Sequence, residues 1–279
     1  EIIRTLDLLI IDEISMVRAD LLDAIDDNLR RYRHSQRPFG GVQLLMIGDL
    51  QQLPPVVKDD EWELMKQVYP SPFFFNSKAL QRTHFITIEL TKIFRQSDSQ
   101  FINLLNNIRQ NKFDNDTLNL LNTRYLPNFQ PNDSEGYIQL TTHNYQAQNI
   151  NSAKLESLCG ESYSFEAYIE GNFPEYSYPT DNVLTLKEGA QVMFVRNDSS
   201  PEKKFYNGKI ATITSISNTD IIVEDREGNT IEVKRDKWEN IKYTINKDSK
   251  EIEAVVDGSF IQYPLKLAWA ITVHKSQGL

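Results

Sequence analysis

The sequence predicts an α/β protein of more than one domain, with a small barrel or sandwich inserted late in the chain. Short continuous apolar runs alternate with amphipathic stretches over the first part, which is the pattern of buried parallel strands crossed over by helices. From about residue 184 the pattern changes to short β-type runs separated by polar turns at hairpin spacing. The length, 279 residues, exceeds the usual single domain, so two or three separate cores are expected.

The first element is "LDLLIID", a run suited to a parallel strand covered on both faces. Asp20 is the expected N-cap of a helix in which Leu21, Leu22, Ile25, Leu29 and Tyr32 recur at helical spacing. "QLLMIGD" repeats the strand pattern and completes a βαβ unit, whose ligands bind beyond the carboxyl ends of its strands. Asp12 and Glu13 end the first strand, Gly48 and Asp49 the second, so the two acidic ends should face one rim. "FITIELT" reads as a further strand leading into Arg95. A helix from about Asp98 follows, with Phe101, Leu104, Leu105 and Ile108 on one face. "YIQLTT" and a helix ending near Gly160 continue the alternation and place the start of a second α/β domain close to residue 93. The runs "VLTLK", "QVMFV", "KIATITSI", "DIIVE", "TIEVK", "KYTI" and "IEAVV" make up the β-rich insert. Asn207 and Gly208 form its expected tight turn, and Trp238 and Tyr243 its expected core. "LKLAWAITVHKSQGL" returns to the apolar pattern of an α/β core.

Composition narrows the chemistry. A formal net charge of −9 argues against broad electrostatic attraction to nucleic acid but leaves room for a narrow basic channel. The single cysteine, Cys159, excludes an internal disulfide framework and suits a reducing compartment. Four scattered histidines give no zinc-ligand spacing. No apolar run approaches the roughly 18 residues of a spanning helix, and no signal peptide is visible. The chain starts without Met and stops at "HKSQGL", which leads us to expect a piece of a longer protein. Adjacent carboxylates at the end of an apolar strand need a cation, a polar ligand or open solvent, because a stranded buried charge costs several kcal/mol. An isolated acidic pair could equally cap the next helix.

The motifs, taken in order, carry a resemblance. "LLIIDEISMV" looks like a Walker B or DExx-box motif, and "LMIGDLQQLPPV" resembles motif III of superfamily 1B DNA helicases. "LTKIFRQSDSQF" resembles their motif IV, "LTTHNYQAQNIN" the segment after it, and "LAWAITVHKSQG" their motif V. With "GAQVMFVRND" and "YNGKIATI", the set is similar to the Pif (petite integration frequency) helicases, close relatives of RecD. The resemblance covers essentially the whole chain. It departs in two places: the Walker A loop upstream of the acidic pair and the final arginine motif after motif V have no match here. The resemblance therefore implies a fragment from mid-domain one to motif V, unable to hydrolyse ATP on its own.

What the resemblance implies is specific. The fold would be two RecA-like P-loop NTPase domains, the first incomplete, with an SH3-like β-barrel inserted in the second. Residues 1–92 would be the C-terminal part of domain 1A and 93–183 the first part of 2A. Residues 184–262 would be the insert 2B, and 263–279 the return to 2A. Cofactors would be ATP and Mg²⁺. Asp12 would hold the metal, mostly through water, and Glu13 would orient or deprotonate the attacking water. Asp49, Gln52, Gln277 and Gly278 would line the nucleotide. Phe94 could pack on adenine, Arg95 would supply a cation to the transferring phosphate, and Gln96 could support it. Pro54, Thr142, His143, Asn144, Asn207, Gly208, Thr272, His274, Lys275 and Ser276 would contact DNA, with short polar groups bonding phosphate oxygens at little cost in net charge. Partners would be single-stranded and forked duplex DNA, engaged by a monomer that moves 5′ to 3′ as its two lobes open and close on ATP. DNA repair, recombination and telomere maintenance are the processes implied. The compartment would be cytoplasmic in a bacterium, nuclear or mitochondrial in a eukaryote. Three other readings stay open: a P-loop nuclease or recombinase ATPase, a RecD-like subunit of a helicase-nuclease complex, and a non-catalytic single-stranded DNA-binding module.

Overall fold

In the computed structural model, residues 2–94, 97–129, 131–132, 135–245 and 252–276 are described, with backbone alone at 244, 245 and 252. The chain divides into two compact units, 1–129 and 130–279.

In the first unit a short helix, α1 (Ile2–Thr5), precedes β1 (Leu8–Ile11). A 3-10 turn (Ile14–Met16) and α2 (Ala19–Arg33) follow, and the chain returns in β2 (Gln43–Met46), parallel to β1. Strand alternation sends Leu9, Ile11, Leu44 and Met46 onto Leu22, Leu29, Phe39 and Leu80, while Leu8, Ile10 and Leu45 stay exposed on the other face. The βαβ expectation therefore holds. Its cap does not: Arg18, not Asp20, precedes the first turn of α2, because the Arg18 guanidinium is held 2.7 Å from both Asp20 and Glu61. Leu21 and Tyr32 are exposed, since the buried stripe of α2 is the narrower set Ala19, Leu22, Asp26 and Leu29.

The helices α3 (Asp59–Met65), α4 (Lys78–Gln81), α5 (Ser99–Arg109) and α6 (Asn115–Asn122) complete this unit. Asp98 caps α5, accepting from the backbone N–H groups of Gln100 and Phe101. The expected strand "FITIELT" is a correction: residues 84–94 form no strand. Among the described residues β1 and β2 pair only with each other and this segment joins neither, which leaves Ile86, Ile88 and Leu90 79–90% exposed. The expected domain start near residue 93 also falls inside the first unit, which takes in α5 and α6.

Asp23 organises the N-terminal half of α2. Its carboxylate accepts from Ser77 Oγ (2.6 Å), Tyr69 Oη (2.7 Å) and the N–H groups of Ala79 and Lys78 (2.9 and 3.1 Å). Burial alone would raise its pKa, but these donors outweigh burial and hold it below the usual carboxylate value. A pKa lowered on folding contributes stability above the ordinary carboxylate range, and that contribution is lost as the pH falls below it. Asp23→Ala orphans four donors and is expected to destabilise the chain by roughly 2 kcal/mol at neutral pH. The cost should shrink below about pH 4. Urea unfolding monitored across pH checks both; an unchanged midpoint at pH 7 would refute the assignment.

The second unit starts with β3 (Gln139–Thr141) and α7 (Asn144–Ser157). Then come β4 (Tyr163–Glu166), β5 (Tyr168–Gly171), β6 (Val183–Leu186), β7 (Gln191–Phe194), β8 (Ile210–Ile216), β9 (Ile221–Asp225) and β10 (Thr230–Val233). The unit ends with β11 (Asp236–Ile245), β12 (Ile252–Gln262), β13 (Leu265–Leu267), β14 (Ala270–Thr272) and α8 (Val273–Ser276). An antiparallel sheet runs β10-β9-β8-β7-β13, and β11-β12-β5 and β4-β6 are smaller sheets. Leu184, Val192, Phe194, Ile213, Val223 and Leu265 form the core. The β-rich stretch thus begins at residue 163, before the expected 184, because β4 and β5 pair with β6 and β12 from later in the chain. Gln262, fully buried, donates to Phe165 O (2.8 Å) and accepts from Tyr263 N–H (3.0 Å), so its polar atoms are satisfied.

Trp238 packs edge-on to Phe260, with ring centroids 6.1 Å apart, as a partly buried member of the insert. Tyr243 is a second correction: it is exposed. β5 pairs with β12 only from Gly258 onward, so among the described residues the outer part of the β11–β12 hairpin, where Tyr243 faces Ala254, has no third strand to cover it. The Asn207–Gly208 turn is present, with Gly208 at φ +94° and its N–H donated to Phe194 O (2.8 Å). Among the described residues no helix is long and apolar enough to cross a membrane.

Candidate functional site

Parallel register decides the first rim. Ile11 lies opposite Met46, so Asp12–Glu13 and Gly48–Asp49 leave adjacent strands at the same edge. The exit is clamped by backbone: Ile47 N–H donates to Ile11 O and Ile14 N–H to Ile47 O, each at 2.9 Å. Gly48 permits this closeness. A Cβ there would stand 2.9 Å from Ile14 Cγ2 and 3.0 Å from Ile14 N. Glu13 turns the chain in a left-handed conformation, φ 50° and ψ 44°, and its N–H donates to Asp12 Oδ1 at 3.0 Å. A non-glycine residue there carries strain of about 1–2 kcal/mol, the kind that persists where surrounding structure enforces it.

Asp49 orders the second strand end. Its Oδ1 accepts from Gln51 N–H (3.0 Å), its Oδ2 lies 3.4 Å from Gln52 Nε2, and Arg109 Nη2 on α5 is 3.4 Å from Oδ1. Gln52 and Pro54 are exposed while Pro55 is buried, so the stiff diproline anchors the loop on one side only. Phe94 is 82% exposed, with Lys92 Nζ 4.6 Å from its ring centroid. Arg95, Gln96, Gln277 and Gly278 lie outside the described residues.

Among the described residues no three His, Cys, Asp or Glu side chains gather as a metal cage. The donor chemistry nevertheless suits Mg²⁺. Asp12 is exposed, and its Oδ2 has no hydrogen-bond partner among the described residues. Magnesium keeps several waters and takes only one or two carboxylates plus substrate phosphates.

A second rim forms in the other unit by the same device. β3 and β14 are parallel with Thr141 opposite Thr272, so Thr142–Asn144 and His274–Ser276 leave neighbouring strands together. Asn151 on α7 fixes the pair, donating to Ala270 O (2.9 Å) and accepting from Ala270 N–H (2.8 Å). Thr142 Oγ1 sits 2.7 Å from His143 Nδ1, and the His143 ring lies 5.5 Å from that of Tyr145. Thr142, His143, Asn144, His274 and Lys275 are exposed, beside an open depression of about 500 Å³ lined by Thr142, Gln146 and Asn149. Thr272 is buried within its strand, so it supports this rim from beneath. Asn207 and Gly208 lie in the turn before β8. Sequence reasoning missed Arg109: a cation sixty positions from Asp49 gives no local signal.

Acidic tips on one parallel strand pair and polar tips on another give this α/β chain two polar rims. A family model for PIF1-like helicases matches residues 1–119. The chain is 34% identical over 280 residues to the human ATP-dependent DNA helicase PIF1, covering 97% of this chain and 40% of that protein. It is similar to Bacteroides sp Pif1 in complex with ADP-AlF4, at 45% identity and TM-score 0.90, over all of this chain and 63% of that one. Bacteroides Pif1 bound to single-stranded DNA matches with TM-score 0.61 at the same identity and coverage. The chain is thus similar to PIF1-like helicases over nearly its whole length. It spans less than two thirds of the length of these relatives.

Proposed function

We propose that the protein to which this chain belongs is an ATP-dependent DNA helicase that moves 5′ to 3′ on single-stranded DNA and unwinds forked duplex. The observation that carries the reading is the register that sets Asp12–Glu13 beside Gly48–Asp49 on one rim, in a chain whose relatives are helicases. Residues 1–92 are read as the C-terminal part of RecA-like domain 1A. Residues 93–183 and 263–279 are read as domain 2A, and 184–262 as an SH3-like insert. The division at 129/130 concerns compactness, whereas these bounds follow the motifs.

Within this reading the residues divide the work. Glu13 holds the attacking water and takes its proton, and the enforced turn aims its carboxylate. Asp12 would hold Mg²⁺ through water, and the ion, when bound, would offset charge on the phosphates. Asp49 fixes the loop that presents Gln52 to the γ-phosphate. Arg95 stabilises charge spreading over the transferring phosphoryl oxygens, and Phe94 offers an exposed ring to adenine. Thr142, His143, Asn144, His274, Lys275 and Ser276 grip the strand through hydroxyl, imidazole, amide and ammonium donors. Such a track suits a protein whose net charge is −9.

The test is steady-state ATP hydrolysis by the full-length protein with and without a single-stranded oligonucleotide. Stimulation by the strand is expected. Hydrolysis indifferent to DNA would refute the motor, and none at all with DNA still bound would replace it by a binding module.

A further inference from the structure

The turn that follows β2 is anchored at both ends and projects between them. Upstream, the Ile47 backbone is bonded to Ile11 and Ile14; downstream, Pro55 is buried. Leu50, Gln51 and Gln52, between these anchors, are exposed. The turn's own bonds are short-range: Gln52 N–H donates to Asp49 O (3.0 Å), Gln51 N–H donates to Asp49 Oδ1 (3.0 Å), and Gln52 Nε2 lies 3.4 Å from Asp49 Oδ2. An aspartate that bonds the backbone two residues on stiffens such a turn. Bonds confined to four residues move with the turn, however, and leave its direction open.

Arg109 reaches this turn from another element. It stands in the last turn of α5, a helix whose Leu104 is buried, and its Nη2 lies 3.4 Å from Asp49 Oδ1 across sixty positions of sequence. Among the described residues its guanidinium makes no other hydrogen bond or ion pair. A cation in the last turn of a helix complements the helix dipole, and that alone would explain an arginine at this position. It does not explain the reach of the side chain onto a carboxylate of the β2 turn. Folding stability does not explain it either: the two side chains are 46% and 28% exposed, and ion pairs so exposed contribute little. We propose that Arg109 is a positioning residue for ATP hydrolysis, holding the Asp49 carboxylate and so setting the direction in which the turn presents Gln52. This rests on the reading of Gln52 as the group that faces the γ-phosphate. Pro55 fixes the far side of the loop, and Arg109 supplies the hold on the near side.

The experiment is steady-state ATP hydrolysis by the full-length protein at saturating oligothymidylate. Arg109→Ala is expected to lower kcat about fivefold, the factor that corresponds to the upper end of an exposed ion pair, with KM for ATP nearly unchanged. Arg109→Lys should restore part of the rate, since it keeps the charge and loses the planar fork. A double-mutant cycle with Asp49→Asn tests the route of action: the double variant should be no slower than Asp49→Asn alone, because both substitutions break one contact. Effects that multiply would show Arg109 acting without Asp49 and would overturn the proposal. Gln52→Ala is the reference variant. If it slows hydrolysis while Arg109→Ala does not, Arg109 is a surface cation and the proposal alone fails. If Gln52→Ala turns over at the native rate, the reading of Gln52 falls, and the proposal with it. Arg109→Gln, checked by thermal unfolding, takes the place of the alanine variant should that one fail to fold.

Discussion

Replacing Glu13 by Gln in the full-length protein is expected to lower ATP turnover by at least about 100-fold, the lower end for loss of a general base. Nucleotide binding should be nearly unchanged. The amide has the shape of the carboxylate and can fill the same left-handed turn, but it cannot accept the proton of the attacking water. Steady-state hydrolysis alongside titration of a fluorescent nucleotide separates the two effects. Turnover at the native rate would strip Glu13 of its role. A parallel loss of binding would instead show that the substitution had disturbed the clamp formed by Ile47, Gly48 and Ile14.

Arg95→Ala should slow hydrolysis by at least about 100-fold, near the low end of what a phosphate-directed arginine supplies, while DNA affinity stays close to native. A guanidinium delivers two or more N–H donors in a fixed plane to oxygens whose charge grows as the phosphoryl group transfers. The contribution therefore belongs to the transition state and should appear in kcat more than in KM. Arg95→Lys keeps the charge but loses the planar fork, so it should restore only part of the rate. A loss of less than tenfold in the alanine variant would reassign Arg95 to structure.

Much of the frame around the candidate site was legible because its signals are local. "LLIIDE" and "QLLMIGD" are apolar runs ending in polar residues, and period and length alone make them strands whose tips share an edge. Asp98 announced a helix start through capping chemistry confined to three residues. The turn at Asn207–Gly208 was equally local, since a positive φ selects glycine. The misreadings have the opposite character. "FITIELT" carries the composition of a strand, yet a strand exists only where a neighbour offers backbone hydrogen bonds. Asp20 is a good capping residue, but Glu61, more than forty positions away, helps draw Arg18 into the place before the helix. Tyr243 has the alternation of a core position in a hairpin that outruns its third strand.

The sequence by itself determined the βαβ start, the β-rich later half, the order of the motifs and the chemical types at each strand tip. These follow from side-chain periodicity and backbone preference over a few residues. Only the tertiary structure decided which tips meet: Thr141 beside Thr272 across 131 positions, and Arg109 beside Asp49. Such pairings depend on strand register and chain return, and no short window of sequence contains both partners.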